Sequence, residues 1–202
     1  MINQDTLKLL YQEKGLSMSK IAKELGVSSN TVVWWMDKYD IQRRTLSQAI
    51  YIQKNGLVDP FKIKELLTPK DYILYGMGVG LYWGEGTKRN LGSVRLGNTD
   101  PDLIKCFVEF LKEICGVKET KIRYGLQVFN DINPKDALEY WMKTLHIPRS
   151  SFLPKVVVSP SQGKGTYKRK SQFGVLTVYV NNVKLRNWLN QQLVSPGSSV
   201  VE

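Results

Sequence analysis

Acidic residues are scarce in this chain relative to basic ones. Over 202 residues, 18 Asp and Glu stand against 29 Lys and Arg, a formal charge of +11. The excess is not confined to a tail: residues 1–70 carry net +4 and residues 71–202 net +7. A surface of this sign suits nucleic acid as a partner. Histidine is nearly absent. The single one, His146, precedes Ile147-Pro148 and reads as the last residue of a helix rather than as a ligand or base. With one histidine and only Cys106 and Cys115, nine residues apart on one expected helix, the sequence offers no zinc site, no obvious disulfide and no Ser/His/Asp arrangement. Both thiols are expected reduced and partly buried. Long apolar runs are missing as well, and the N-terminus lacks a cationic start followed by an apolar core. The expectation is a cytoplasmic protein with no membrane partner. A chain of this length holds one medium domain or two small ones.

Residues 1–44 read as three short helices, about Gln4–Glu13, Met18–Leu25 and Ser29–Lys38. Ile21, Ala22 and Leu25 supply an inward face, Gly26 permits a left-handed turn, and Val27, Val32 and Met36 pack the third helix back. The layout resembles the helix-turn-helix of site-specific recombinases and repressors. In such a module the start of the last helix enters the major groove. Ser28, Ser29, Asn30 and Thr31 stand there, and Asn30 suits adenine. Trp34, Trp35 and Lys38 form the next turn, with one tryptophan expected in the core and the other at the sugar-phosphate backbone. Arg43 and Arg44 follow, placed to reach phosphates or a minor groove, or to stand as a solvated pair. A small helical bundle that binds protein is the alternative for the whole segment. Residues 45–67 read as a partly helical connector, with one helix over about Thr45–Gln53 and another opening at Asp59-Pro60.

The segment Thr68–Gly86, TPKDYILYGMGVGLYWGEG, carries glycines at 76, 78, 80 and 84. Each costs a helix about 1 kcal/mol against alanine. Yet Thr68 suits an N-cap, Pro69 the first helical position and Asp71 a capping acid. Leu74, Met77 and Leu81 add an apolar stripe. A nucleotide loop is the competing reading, but the glycine spacing is one residue off GxGxxG and no GK[ST] follows. Gly76, Gly80 and Gly84 lie four apart and so line one face, bare enough for a second backbone to approach closely. Glu85 ends that face. A pair of such helices would set two acids side by side.

Gly78–Gly86, GVGLYWGEG, resembles the LAGLIDADG motif of homing endonucleases and of transcription factors and splicing cofactors on the same fold. Gly80 and Gly84 match its small interface positions, Leu81 its second leucine, and Glu85-Gly86 its terminal Asp-Gly. Gly78-Val79 stand in place of Leu-Ala, and Trp83 where the family often has Asp. The downstream VRLGNTDPDLIKCFVEFLKEICGV matches the family's hairpin, Asn-Thr-Asp turn and amphipathic helix. The likeness covers about residues 70–193. It implies a domain of αββαββα type over residues 68–195, with a saddle-shaped antiparallel sheet and helices on one face; the Ser- and Gly-rich end of the chain, 196–202, reads as a frayed tail. It also implies that Glu85 is the catalytic and metal-binding acid.

The expected elements after Gly86 are a hairpin (Thr87–Asn90 and Ser93–Gly97), a helix from Asp100-Pro101 to Gly116, and a strand over Lys121–Phe129. A helix from Asn133-Pro134 to Leu145, strands over Phe152–Val158 and Phe173–Val180, and a helix from Asn181 or Asn182 to Leu193 complete the α+β order. The helix after Asn133 departs from the simplest family pattern. Arg95, Lys121, Arg123 and Gln127 are candidates for the face of the sheet that meets DNA. Lys88, just past the motif, joins them. Lys164, Lys168, Arg169 and Lys170 form the densest basic stretch, set to lie along phosphates or in solvent.

One motif per chain supplies one Glu85. Mg²⁺-dependent cleavage of double-stranded DNA would then require a homodimer packed through Gly76, Gly80 and Gly84, and a pseudo-palindromic target. Lys155 and Lys168 are equally eligible to stabilise charge. A non-cutting transcription regulator on the same fold is the second reading, and an RNA-splicing cofactor the third.

Overall fold

The computed structural model describes residues 1–160 and 171–193. The chain divides into two compact units, Met1–Pro60 and Phe61–Glu202.

The first unit is all α. Helix α1 (Gln4–Lys8) is capped by Asn3 and runs on as one π-type turn over Leu9–Glu13. Helix α2 (Met18–Leu25) is capped by Ser17 and stopped by Gly26 at φ 66°, a left-handed conformation that an L side chain would strain. Helix α3 (Ser29–Lys38) starts on Ser28, whose Oγ accepts the Thr31 N–H at 3.1 Å. Leu7, Leu10, Tyr11, Ile21, Val32, Met36 and Ile41 form a closed core of their own. Helix α4 (Leu46–Asn55) opens on a reciprocal capping box between Thr45 and Gln48. No helix opens at Pro60. The expected connector is instead divided between the units: α4 stays with the first, and Phe61, Ile63 and Leu67 pack into the core of the second. The Lys62 N–H donates to Cys115 O at 3.1 Å and the Lys64 N–H to Ile114 O at 2.8 Å.

The second unit is α+β. Helix α5 (Pro69–Glu85) has the expected Thr68/Asp71 capping box. Helix α6 (Pro101–Glu109) continues as a π-type segment, Phe110–Ile114. Helix α7 (Pro134–Leu145) is stopped by His146 at φ 53°, and Asn182 caps α8 (Val183–Leu193). Strands β1 (Val94–Asn98), β2 (Ile122–Phe129), β3 (Val157–Ser159) and β4 (Val175–Val180) form a sheet in the order β1-β4-β2-β3. Period-two alternation divides its faces. Val94, Leu96, Ile122, Tyr124, Leu126, Val128, Leu176, Val178 and Val180 are buried under Tyr82, Phe107, Phe110, Trp141, Leu185 and Leu189 of the helices. Among the described residues, no α-helix packs on the other face.

Three expectations about the sheet require correction. It is mixed rather than antiparallel, because β3 runs parallel to β2. The expected hairpin after Gly86 shrinks to a single bridge, Gly86 to Leu96, leaving β1 without a sequential partner strand. Likewise Phe152 makes only a parallel bridge to Tyr124, and the strand proper starts at Val157. Inside α5 the buried positions are Asp71, Gly78 and Tyr82, whereas Met77, expected inward, is 52% exposed.

Candidate nucleic-acid interface

Helix α5 has two different glycine faces. A Cβ built on Gly78 would overlap the ring of Phe110, so this glycine lets the helix seat on the segment that follows α6. A Cβ built on Gly76, Gly80 or Gly84 would meet nothing within 4 Å among the described residues. Around them lie Tyr72, Ile73, Met77 and Trp83, all exposed, which makes the outer face of α5 apolar, smooth and unpartnered among the described residues. Glu85 is exposed at its C-terminal end.

That end is tied to the sheet. The Gly86 N–H donates to Tyr82 O at 2.9 Å and the Thr87 N–H to Arg95 O at 2.9 Å. The Lys88 ammonium donates to the carbonyl of Trp83 and lies 5.7 Å from the centroid of the Tyr82 ring. A cation therefore sits where the carbonyls of a helix end carry partial negative charge. Arg186 of α8 donates to Lys88 O at 3.0 Å. Beneath, the Tyr82 hydroxyl is buried without a hydrogen-bond partner among the described residues, and burial raises its pKa.

The open face of the sheet brings together most of the strand candidates. Arg95, Tyr179 and Arg123 are direct neighbours across β1, β4 and β2. Arg95 Nε donates to Ser93 Oγ at 2.8 Å, Ser93 Oγ donates to Asn90 Oδ1 at 2.9 Å, and the guanidinium lies 5.2 Å from the Tyr179 ring centroid. Arg123 donates to Phe152 O at 3.2 Å. In the next row Thr177 stands between Gly97 and Gly125, and Tyr179 leans onto Gly125. Gln127 is bonded to Ser159 Oγ at 2.9 Å, across the β2–β3 pair. Lys121 stays off the strand, closing the short 3-10 turn Glu119–Lys121. Tyr179 and Thr177 were not among the candidates. The alternation of Val175–Val180 places both on the face opposite Leu176, Val178 and Val180, and that signal was legible in the sequence.

In the first unit the candidates separate by role. Ser28 and Thr31 are bonded to each other, Oγ to Oγ1, at 2.9 Å, so both hydroxyls serve the cap of α3. Ser29 and Asn30 are exposed beside them, with the Asn30 amide side chain open to solvent. Trp34 is 56% exposed and Trp35 packs against the core. Arg43 is exposed and pairs with Asp37 at 3.6 Å. Arg44 turns inward: its guanidinium donates to the carbonyls of Tyr11, Gly15 and Leu16 and stacks 4.0 Å from the Tyr11 ring centroid. Its expected reach to phosphate therefore gives way to a structural bond set.

Lys164, Lys168, Arg169 and Lys170, and the tail at 196–202, lie outside the described residues. Lys155 is exposed just before β3. Among the described residues no group of three or more His, Cys, Asp or Glu could hold a metal ion, and no helix is long and apolar enough to cross a membrane. No family model, curated protein or solved structure matches the chain.

Proposed function

We propose that this chain binds double-stranded DNA at specific sites and, as a homodimer, cuts it as a metal-dependent endonuclease of the homing type. The observation that carries this reading is the outer face of α5: open at Gly76, Gly80 and Gly84, apolar around them, and ending in an exposed Glu85. A twofold axis along that face would bring two Glu85 carboxylates together at the helix ends. One chain offers a single carboxylate there, so a metal site fits these residues only when the second chain contributes its own. A divalent ion so held supplies Lewis-acid polarisation of a phosphoryl oxygen and a more acidic bound water. The chain's own residues do the rest. Lys88 adds positive charge at the same helix end. Arg95, held by Ser93 and Tyr179, and Arg123 offer guanidinium groups to phosphates or base edges on the open face.

The second reading is a non-cutting regulator. A specific observation favours it: the first unit has a closed core of its own and capped α2 and α3, so that, read as a helix-turn-helix, it would bind DNA without Glu85. The two readings separate when a plasmid library of genomic fragments is incubated with purified protein and Mg²⁺ and new ends are sequenced. Discrete double-strand ends with the wild type support the endonuclease. Discrete fragments retained by the protein without new ends support the regulator.

A further inference from the structure

The outward side of α3 presents an amide, an indole and an ammonium one turn apart: Asn30, Trp34 and Lys38. The indole is the unusual member. It is 56% exposed, yet it is held. Its ring meets Trp35 edge to face at 4.7 Å between centroids. Trp35 in turn stacks on Tyr39 at 5.2 Å, and the Tyr39 hydroxyl donates to Ile2 O at 2.7 Å. The Lys38 ammonium lies 4.9 Å from the centroids of both indole rings. A large apolar ring is thus fixed in one orientation and left facing solvent, which is the pre-organisation that recognition rewards.

We propose that Trp34 is a specificity residue that reads the 5-methyl group of thymine in the major groove. This rests on the reading of the first unit as a DNA-binding helix-turn-helix. Its first turn enters the groove, and Asn30 there matches the N6 and N7 edge of adenine. Trp34 follows one turn later, about 6 Å along the axis, or roughly two base steps. The thymine methyl is the one apolar group that the major groove displays. Phosphate contacts have other suitors: Lys38 one turn further on, and exposed Lys20 and Lys23 on α2, the helix that crosses the backbone in such modules. The recognised half-site therefore contains an adenine with a thymine about two steps away.

Deoxyuridine differs from thymidine by that methyl alone. The full chain is used to select duplexes from a random library at physiological salt. Each thymine of a selected duplex is then replaced singly by deoxyuridine. Loss of one buried methyl corresponds to about three- to five-fold weaker binding. The wild type should show that loss at one or two positions. At those positions Trp34→Ala should bind both duplexes equally, and Trp34→Phe should keep part of the discrimination. Far-UV circular dichroism checks that the variants stay folded. Equal binding of thymine and deoxyuridine duplexes by the wild type at every position overturns the proposal, and so does a penalty that survives in Trp34→Ala. Failure to select any duplex overturns the DNA-binding reading itself, and the thymine contact with it.

Discussion

The ring of Phe110 lies directly on Gly78, where a single methyl group would overlap its carbons. Two residues along the helix, a Cβ on Gly80 would meet nothing within 4 Å among the described residues. These neighbouring glycines therefore predict opposite outcomes. Gly78→Ala must push Phe110 out of a filled core and should destabilise the second unit by about 3 kcal/mol, the upper end of overpacking costs. Gly80→Ala should raise the stability of the isolated chain by about 1 kcal/mol, since alanine is the better helix former. Urea unfolding of both variants at low protein concentration decides this.

Arg43 and Arg44 are adjacent and should likewise differ. Arg44→Ala removes three hydrogen bonds to carbonyls and a stack on Tyr11, and should cost the first unit about 2 kcal/mol or more. Arg43→Ala breaks one exposed ion pair and should change stability by no more than about 0.5 kcal/mol. If Arg43 meets phosphate, the slope of log affinity against log salt should fall by about one in Arg43→Ala. Thermal melts and binding titrations at several salt concentrations test the two halves separately.

The base of α5 predicts a pH dependence. The Lys64 ammonium, 2.8 Å from Asp71 Oδ2, together with the Thr68 N–H and hydroxyl, lowers the Asp71 pKa to about 2. An unfolded chain would protonate this group near pH 3.9. The folded value is the lower one, so the stabilisation is present above pH 4 and is lost as pH falls from about 4 to about 2. Asp71→Asn should therefore be less stable than the wild type at neutral pH, and the difference should close across that window. Acid titration of both proteins followed by circular dichroism shows whether it does.

Glu85→Gln keeps the size of the side chain and removes its charge. It should abolish strand cleavage while leaving DNA affinity within about two-fold, because the acid acts on the reaction rather than on binding. Parallel loss of binding would make Glu85 a structural residue.

Much of the helical framework was legible because its signals are local. Thr68/Asp71, Asp100-Pro101 and Asn133-Pro134 are caps readable within four residues, and they start α5, α6 and α7 as expected. The sheet was less legible because its pairings are not local. The parallel partnership of β3 with β2 joins residues about thirty apart, and nothing within Val157–Ser159 announces its direction. Spacing alone likewise grouped Gly76, Gly80 and Gly84, but it could not tell that Gly78 serves the core. Arg44 was misjudged for the same reason: its partners Tyr11, Gly15 and Leu16 lie about thirty residues upstream. At the candidate site, the strand basics were found by alternation, whereas Tyr179 was overlooked in a segment read only as β-branched.

The proposed homodimer requires two copies of α5 to pack glycine to glycine. Gly80→Cys tests it directly, because the fold has room for the side chain and a disulfide forms only when the two Cα atoms come within about 7 Å. Under mild oxidation in the presence of selected DNA, Gly80→Cys should give a covalent dimer on a non-reducing gel, and Lys54→Cys none at matched concentration. A Gly80→Cys protein that binds DNA fully and stays monomeric would contradict the pairing, and with it the shared Glu85 site.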